Sequence, residues 1–396
     1  MLTQVGISPS QSGAGDLLHT MHDGIARTKA EIISLTGLAR STVTARIEQL
    51  LELGLLREHT TGVSTGGRPP VQYLFNEQAG VIIGVELGAT HGIVALTNLA
   101  HTTLGTERTA INIADGPETV LDWVLASIAS LLGASGVDPA SLMGIGIGVP
   151  GPVEFSSGRP FSPPIMPGWD RFDIPTYLQR TFDVPVLVDN DVNILALGEH
   201  ATEWTHASDF IYVKVATGIG AGIIVGGQLQ RGAQGSAGDI GHVPVPYSAD
   251  SLREPTDERD LEGIASGTAI AEHLTRNGVP ARNSKDVVEL VRANSPEAIA
   301  ATRQAGRELG ETLSWIVSLL NPSVIAIGGS ISHAGEHLLA GVREVVYKRS
   351  TPLATQRLTI VQANTGELAG AVGATILVTQ RILSPEYVDS LVAQLS

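Results

Sequence analysis

From residue 81 onward the chain repeats one pattern: a short apolar run that ends on glycines, hydroxyls or carboxylates, then a helical stretch. The runs are Val81 to Val85, Met143 to Val149, Val184 to Val188, Phe210 to Val215 and Val324 to Ile327. Apolar runs this short, bounded by turn residues, read as buried strands. Between them, Thr119 to Leu132 places Leu121, Val124, Leu125, Ile128 and Leu132 at helical spacing, and Asn190 to His200 and Leu309 to Leu320 are also helical. Strands alternating with helices predict an α/β fold. The pattern occurs in two halves, which predicts two lobes with a cleft between them. The 45 glycines fit many tight turns or close backbone approaches.

Three of the strand ends resemble ligand cradles. Glu86 to Thr90 holds Gly88 and Thr90, Thr217 to Gly222 holds Gly218 and Gly220, and the last run ends on Gly328 and Gly329. The first two read as hairpin turns whose backbone N–H groups can wrap a phosphate. Paired glycines at the third let a flat ligand lie on the backbone. Together they predict a nucleotide between the lobes. Gly146-x-Gly148-x-x-Gly151 matches a dinucleotide fingerprint, but Pro150 and Pro152 forbid the helix it must open. A further strand end differs: Val184 to Val188 runs into Asp189-Asn190-Asp191. Asp191 can cap the following helix or serve a ligand.

The first 80 residues are built differently. Residues 1–13 read as a flexible tail rich in Ser, Gly and Gln. In residues 14–76, helical patterns start at Asp16, at Thr28 and at about Arg40. Thr28 and Glu31 form a capping-box pattern, Thr36-Gly37-Leu38 makes a tight turn, and Gly54 stops the third helix. Ala39 leaves that third helix without a side-chain cap. Two strands follow, Leu55 to Glu58 and Val71 to Phe75, joined by a turn rich in Gly, Ser, Thr and Pro. This is a winged helix-turn-helix. Arg40, Ser41, Thr42, Thr44 and Arg46 would face the major groove of DNA, and Arg68 at the wing tip the minor groove. A scaffold that binds another protein is the other use of such a module.

Charge supports the division. Of the net −15, residues 1–80 carry only −1, from six Lys and Arg against seven Asp and Glu. An acidic chain does not attract nucleic acid non-specifically, so DNA contact would rest on the small first module. The absence of cysteine excludes disulfides, thiol catalysis and Cys-ligated zinc, and fits a cytosolic chain. No membrane span or signal peptide is expected.

Nearly the whole chain resembles the ROK family of repressors, open reading frames and sugar kinases. The residues that carry this are Glu86 to Thr90, Asp189 to Asp191, Thr217 to Gly222, Gly238-Asp-Ile-Gly-His242, Leu261 to Gly267 and the wing-like Gly66-Gly-Arg-Pro69. The resemblance implies an N-terminal winged helix-turn-helix followed, over residues 81–396, by a two-lobed actin-like, RNase H-like sugar-kinase fold. It implies that Asn190, Asp191, Asp239, His242 and Glu262 contact a sugar, with Asp191 the general base if the chain is an ATP-dependent sugar kinase. ATP and Mg²⁺ are expected only in that case. Departures favour a sensor: Glu86 replaces an Asp, Ala89 a Gly and His91 a Lys. The family's zinc cysteines are replaced within Val243 to Asp260, so zinc is expected to be absent and another hydrogen bond must hold His242. The resulting expectation is a sugar-responsive regulator, a repressor, binding a near-palindromic operator as a homodimer or homotetramer, without contact to a membrane.

Overall fold

The computed structural model describes residues 13–59, 71–245, 260–364 and 366–395. Its first module comprises α1 (Ala14–Met21), β1 (Arg27–Thr28), α2 (Lys29–Thr36), α3 (Arg40–Glu52), β2 (Leu56–His59) and β3 (Gln72–Phe75). The capping box forms as its sequence predicts: Thr28 Oγ1 accepts from Glu31 N, and Glu31 receives the Thr28 N–H at 2.7 Å. Gly37 ends α2 in the left-handed conformation, and α3 starts at Ala39 without a side-chain cap. β2 and β3 pair antiparallel with Leu56 opposite Phe75. Short β1, invisible to periodicity at two residues, adds to β3 and completes a three-stranded sheet.

The larger part holds two sheets of the same topology. The first contains β4 (Val81–Leu87), β5 (Gly92–Asn98), β6 (Thr103–Thr109), then α4 (Pro117–Ser135) and β7 (Leu142–Val149). The short pair β8 (Val153–Glu154) and β9 (Arg159–Pro160) and α5 (Ile174–Gln179) precede β10 (Val186–Asn190). Helix α6 (Asp191–Glu203) leads to the second sheet, β11 (Phe210–Val215), β12 (Ile219–Val225) and β13 (Gln228–Gln230). Then come α7 (Leu261–Ala265), α8 (Gly267–Arg276), α9 (Ser284–Arg292), α10 (Pro296–Leu320), β14 (Val324–Gly328), α11 (Glu336–Arg349), α12 (Pro352–Thr355) and β15 (Thr359–Gln362). The chain closes with α13 (Ala369–Ile382) and α14 (Pro385–Leu395).

The strand orders are β10-β7-β4-β5-β6 and β13-β12-β11-β14-β15. In each, three consecutive strands form an antiparallel meander and two later strands extend it in parallel. This is the two-lobed arrangement expected of an actin-like fold. Helix α10 is twice as long as its apolar stripe suggests, because Ser295 caps it over Pro296 and alanines and glycines extend it. Helix α4 is long and apolar enough to span a membrane, but Val120, Leu121, Val124, Ile128 and Leu132 are buried against the first sheet.

Glycines bring the two sheets together. Helix α13 lies on the first sheet: a β-carbon at Gly84 would come within 2.0 Å of the Ala371 carbonyl, and one at Gly146 within 2.1 Å of Ala374. Helix α6 lies on the second sheet, with Gly222 against Ala196 and the Val192 carbonyl. The helices cross each other through Gly198, 2.1 Å from the Ala369 carbonyl, and Gly373, 1.7 Å from that of Ile194, measured from the same added atom. Sheet, helix, helix and sheet thus stack at backbone contact. Gly146 and Gly148 are packing residues on β7, and no helix follows Gly151, as the two prolines require.

The far end of α13 enters another core. Val378, Ile382 and Leu383 pack with Leu17, Leu18, Met21 and Phe75 of the first module, and with Val388 and Val392 of α14. Gly15 N at the start of α1 donates to Asp389 Oδ1 at 3.0 Å. At the same seam His101 Nδ1 lies 3.0 Å from Thr375 Oγ1, and burial pushes that imidazole down to about 4.

The stack yields a prediction with an internal control. Gly373→Ala forces a β-carbon into the Ile194 carbonyl and should destabilise the protein by about 3 kcal/mol or more. Gly133→Ala, on α4 with open space around it, should be neutral or stabilising by up to about 1 kcal/mol. Urea melts of both variants check the contrast.

Candidate functional site

The stretch Asp189-Asn190-Asp191 joins β10 to α6, and its three side chains have separate tasks. Asp189 is built into the turn: its Oδ1 accepts from Asn190 N at 2.8 Å and Asn193 Nδ2 at 2.7 Å, and its Oδ2 from Arg231 Nε at 2.8 Å. Asn190 is the helix cap, accepting from Val192 N at 2.8 Å and donating to the Gly151 carbonyl at 2.7 Å. The capping role open to Asp191 therefore falls to its neighbour. Asp191 occupies the first helical position, where the helix dipole favours a carboxylate. Its side chain is only 5 % exposed, and Oδ2 accepts from Lys214 Nζ at 2.5 Å.

Lys214 rises from β11, so this ion pair joins the second sheet to the start of the central helix. Burial alone would lower the affinity of the ammonium for its proton. The charge of Asp191, its hydrogen bond and the charge of Glu86 reverse that and hold the Lys214 pKa above the ordinary lysine value. The sequence reading missed Lys214. The signal was there: a lone charge inside the apolar run Phe210-Ile-Tyr-Val-Lys-Val215.

Asp239, His242 and Glu262 form a second group. His242 Nδ1 lies 2.7 Å from Asp239 Oδ1, with both side chains exposed. That hydrogen bond raises the His242 pKa; burial opposes it, and the charges of Asp239, Asp260 and Glu262 add to it. Asp260 and Glu262 are thus within electrostatic reach of the ring. Glu262 Oε2 accepts from Ile219 N at 2.8 Å and lies under Gly218, where a β-carbon would meet it at 2.5 Å. The chain has no cysteine to hold zinc as a thiolate, no group of three or more His, Asp and Glu is placed to hold a metal among the described residues, and Asp239 itself orients the imidazole.

The three glycine cradles are occupied by the protein's own side chains. In the first, Gly88 N donates to the His91 carbonyl at 2.8 Å, and the His91 ring covers Gly88, where a β-carbon would fall 2.2 Å from Cε1. His91 Nε2 is 3.5 Å from Glu86 Oε1, and Glu86 in turn abuts Gly370 at the start of α13. Thr90 is exposed beside them. The second differs from the expected hairpin turn. The turn is only Ala216 to Gly218, with Thr217 at its tip; Gly220 and Gly222 lie within β12, where they admit Val192 and Ala196 of α6. Their smallness serves helix packing. In the third, Gly328 leaves room for the Tyr212 hydroxyl, and Gly329 has φ +85° against the backbone of Val215.

Beside Thr217 a cavity of about 350 Å³ is lined by Asp260, Glu262, Thr268 and Glu272. Its three carboxylates, with no lysine or arginine among the described lining residues, oppose a bare triphosphate.

On the first module, Arg40 and Ser41 are exposed at the start of α3, and Thr42 and Thr44 are half-buried. Arg46 is also half-buried, with Nη1 donating to Gln49 Oε1 at 3.4 Å. The face expected to read bases is therefore led by Arg40 and Ser41. Arg68 lies outside the described residues.

A pH dependence follows from the Asp239–His242 pair. A histidine pKa raised by folding contributes stability that is complete below the unfolded value of about 6.5 and lost as pH rises through the folded value. Asp239→Asn should move the His242 titration midpoint down toward about 6.5, as read by NMR. The stability lost in the variant should be greatest at acidic pH, vanish under alkaline conditions, and stay below about 1 kcal/mol because the pair is exposed.

The sequence profile of the ROK family matches residues 82–381. The xylose repressor of Caldicellulosiruptor bescii is 30 % identical over 386 residues, covering 94 % of this chain and 96 % of that protein. The crystal structure of a ROK family transcriptional regulator, a homologue of the Escherichia coli MLC protein, superposes with a TM-score of 0.81 at 23 % identity, covering 96 % of this chain and 98 % of that one. A ROK family glucokinase from Streptomyces griseus, crystallised with glucose and AMPPNP, superposes with a TM-score of 0.63 at 27 % identity, covering 99 % of its own chain but 75 % of this one. With the fold, the Asp189-Asn190-Asp191 turn and these likenesses in agreement, the chain belongs to the ROK family.

Proposed function

We propose that this protein is a DNA-binding transcriptional repressor whose two-lobed part senses a sugar or a sugar derivative. The observation that carries the reading is the continuity of α13. One end abuts Glu86 in the cleft, and the other shares a core with the winged helix-turn-helix. Its backbone contacts with both sheet and α6 leave little slack for absorbing a displacement. A ligand that favours one lobe arrangement through Asp191, Asn190, Asp239, His242 and Glu262 would bias the orientation of α1 and α3. The match over 94 % of the chain to a xylose repressor supports the regulator, because the glucokinase likeness covers only 75 % of it.

In this reading Arg40, Ser41, Thr42, Thr44, Arg46 and the wing residue Arg68 contact DNA. The chain acts in the cytoplasm as a homodimer or homotetramer, so that paired heads meet a near-palindromic operator. The second reading, an ATP-dependent sugar kinase with Asp191 as base, is favoured by the glucokinase likeness. The Lys214 pair and the His91-covered turn weigh against it.

The test is fluorescence anisotropy with labelled DNA from the region upstream of the gene, at several salt concentrations and with a panel of free sugars. The expected result is specific binding that at least one sugar weakens tenfold or more. Arg40→Ala should cost about 1–3 kcal/mol of binding to the specific site and relax the preference at the base it reads. Steady ADP release that depends on one sugar, abolished by Asp191→Asn, would instead establish the kinase.

A further inference from the structure

The charges in the cleft bear on which sugars it can accept. Lys214 has 22 % of its side chain exposed and Asp191 5 %, so the pair reaches the surface of the cleft chiefly through the lysine side chain. The ammonium is held by Asp191 at 2.5 Å and attracted by Glu86 from the other lobe. The other strong cation of the region, Arg231, is engaged with Asp189 at 2.8 Å, and its guanidinium lies 3.9 Å over the Phe155 ring. His91 faces Glu86 and His242 faces Asp239. Each of these four cationic or protonatable groups already has a carboxylate partner, and around His242 the charges of Asp260 and Glu262 add to that of Asp239.

We propose that the site takes an uncharged polyhydroxyl ligand, not its phosphate ester, and that Lys214 contacts it; this rests on the sugar-sensing reading above. An ammonium bonded to a carboxylate is a matched donor and acceptor. Lys214 spends one N–H on Asp191 and keeps two, and the carboxylate keeps lone pairs. A vicinal diol fits such a pair: one hydroxyl oxygen accepts from Lys214, and its neighbour donates to Asp191. A phosphate ester brings two negative charges to a region rich in carboxylates and must compete with Asp191 for Lys214. The same pairing commits Asp191 Oδ2 to the ammonium, so the carboxylate meets a ligand as one half of a donor–acceptor pair. Lys214 thus turns the position of a base into one of recognition.

The test is isothermal titration of the full-length protein with D-xylose, D-glucose and N-acetyl-D-glucosamine, each paired with its terminal phosphate ester. The expected result is that at least one free sugar binds and its ester binds at least tenfold more weakly. Lys214→Met should weaken that sugar at least tenfold. Because this variant leaves Asp191 buried without its partner, the double variant Lys214→Met, Asp191→Asn is measured beside it, with melting midpoints confirming that each protein is folded. The double variant should show the same loss. An ester that binds as tightly as its sugar or tighter, or full sugar affinity in the folded double variant, overturns this inference and leaves sugar sensing standing. If no sugar and no ester binds, both fall together.

Discussion

The whole molecule depends on two helices that touch through their backbones. Helix α6 rests on the second sheet and α13 on the first, and the two cross where Gly198 and Gly373 remove the side chains that would hold them apart. Close-packed interiors transmit displacements poorly only where side chains can rearrange, and here few lie in the path. The crossing sets the distance between the sheets and therefore the width of the cleft. It also fixes α13 as a member common to the cleft and the winged helix-turn-helix core.

The cleft is built on compensated charge. Asp189 is held by Arg231, Asp191 by Lys214, Glu86 lies beside His91, and Asp239 orients His242. The buried carboxylates of Asp189, Asp191 and Glu86 would be costly alone, and each partner offsets that cost. The arrangement suits binding more than turnover. Asp191, in the position of a base, is bonded to an ammonium through Oδ2, and the first phosphate cradle, at Gly88, is covered by an imidazole. Retaining the fold of a kinase while its reactive positions are filled is consistent with function residing in the site and not in the fold.

Much of this was legible from the order of residues. Strand runs, the capping box at Thr28 and Glu31, the uncapped start at Ala39 and the prolines after Gly148 act over a few residues, where local geometry decides the outcome. Other features were not legible, for specific reasons. Gly220 and Gly222 read as a turn because a glycine needed for helix contact and one needed for a turn look alike in sequence. Asp191 read as able to cap α6, and only the backbone path after β10 gave that role to Asn190. Lys214 stood out as a charge in an apolar strand, yet its partner lies 23 residues earlier on another element.

By itself, the sequence determined the main strand runs, the helices around Leu121, Ile194 and Leu313, the two αβ halves, the N-terminal module and the short list of polar residues at strand ends, because these follow from period, turn chemistry and capping; the helices after Gly329, α13 among them, were not read from it. Tertiary structure alone decided which of those polar residues meet. It placed Lys214 on Asp191, His91 over Gly88, Asp239 on His242 and α13 between the cleft and the first module. Those contacts join elements from different parts of the chain, and their energies depend on distances that no local pattern encodes.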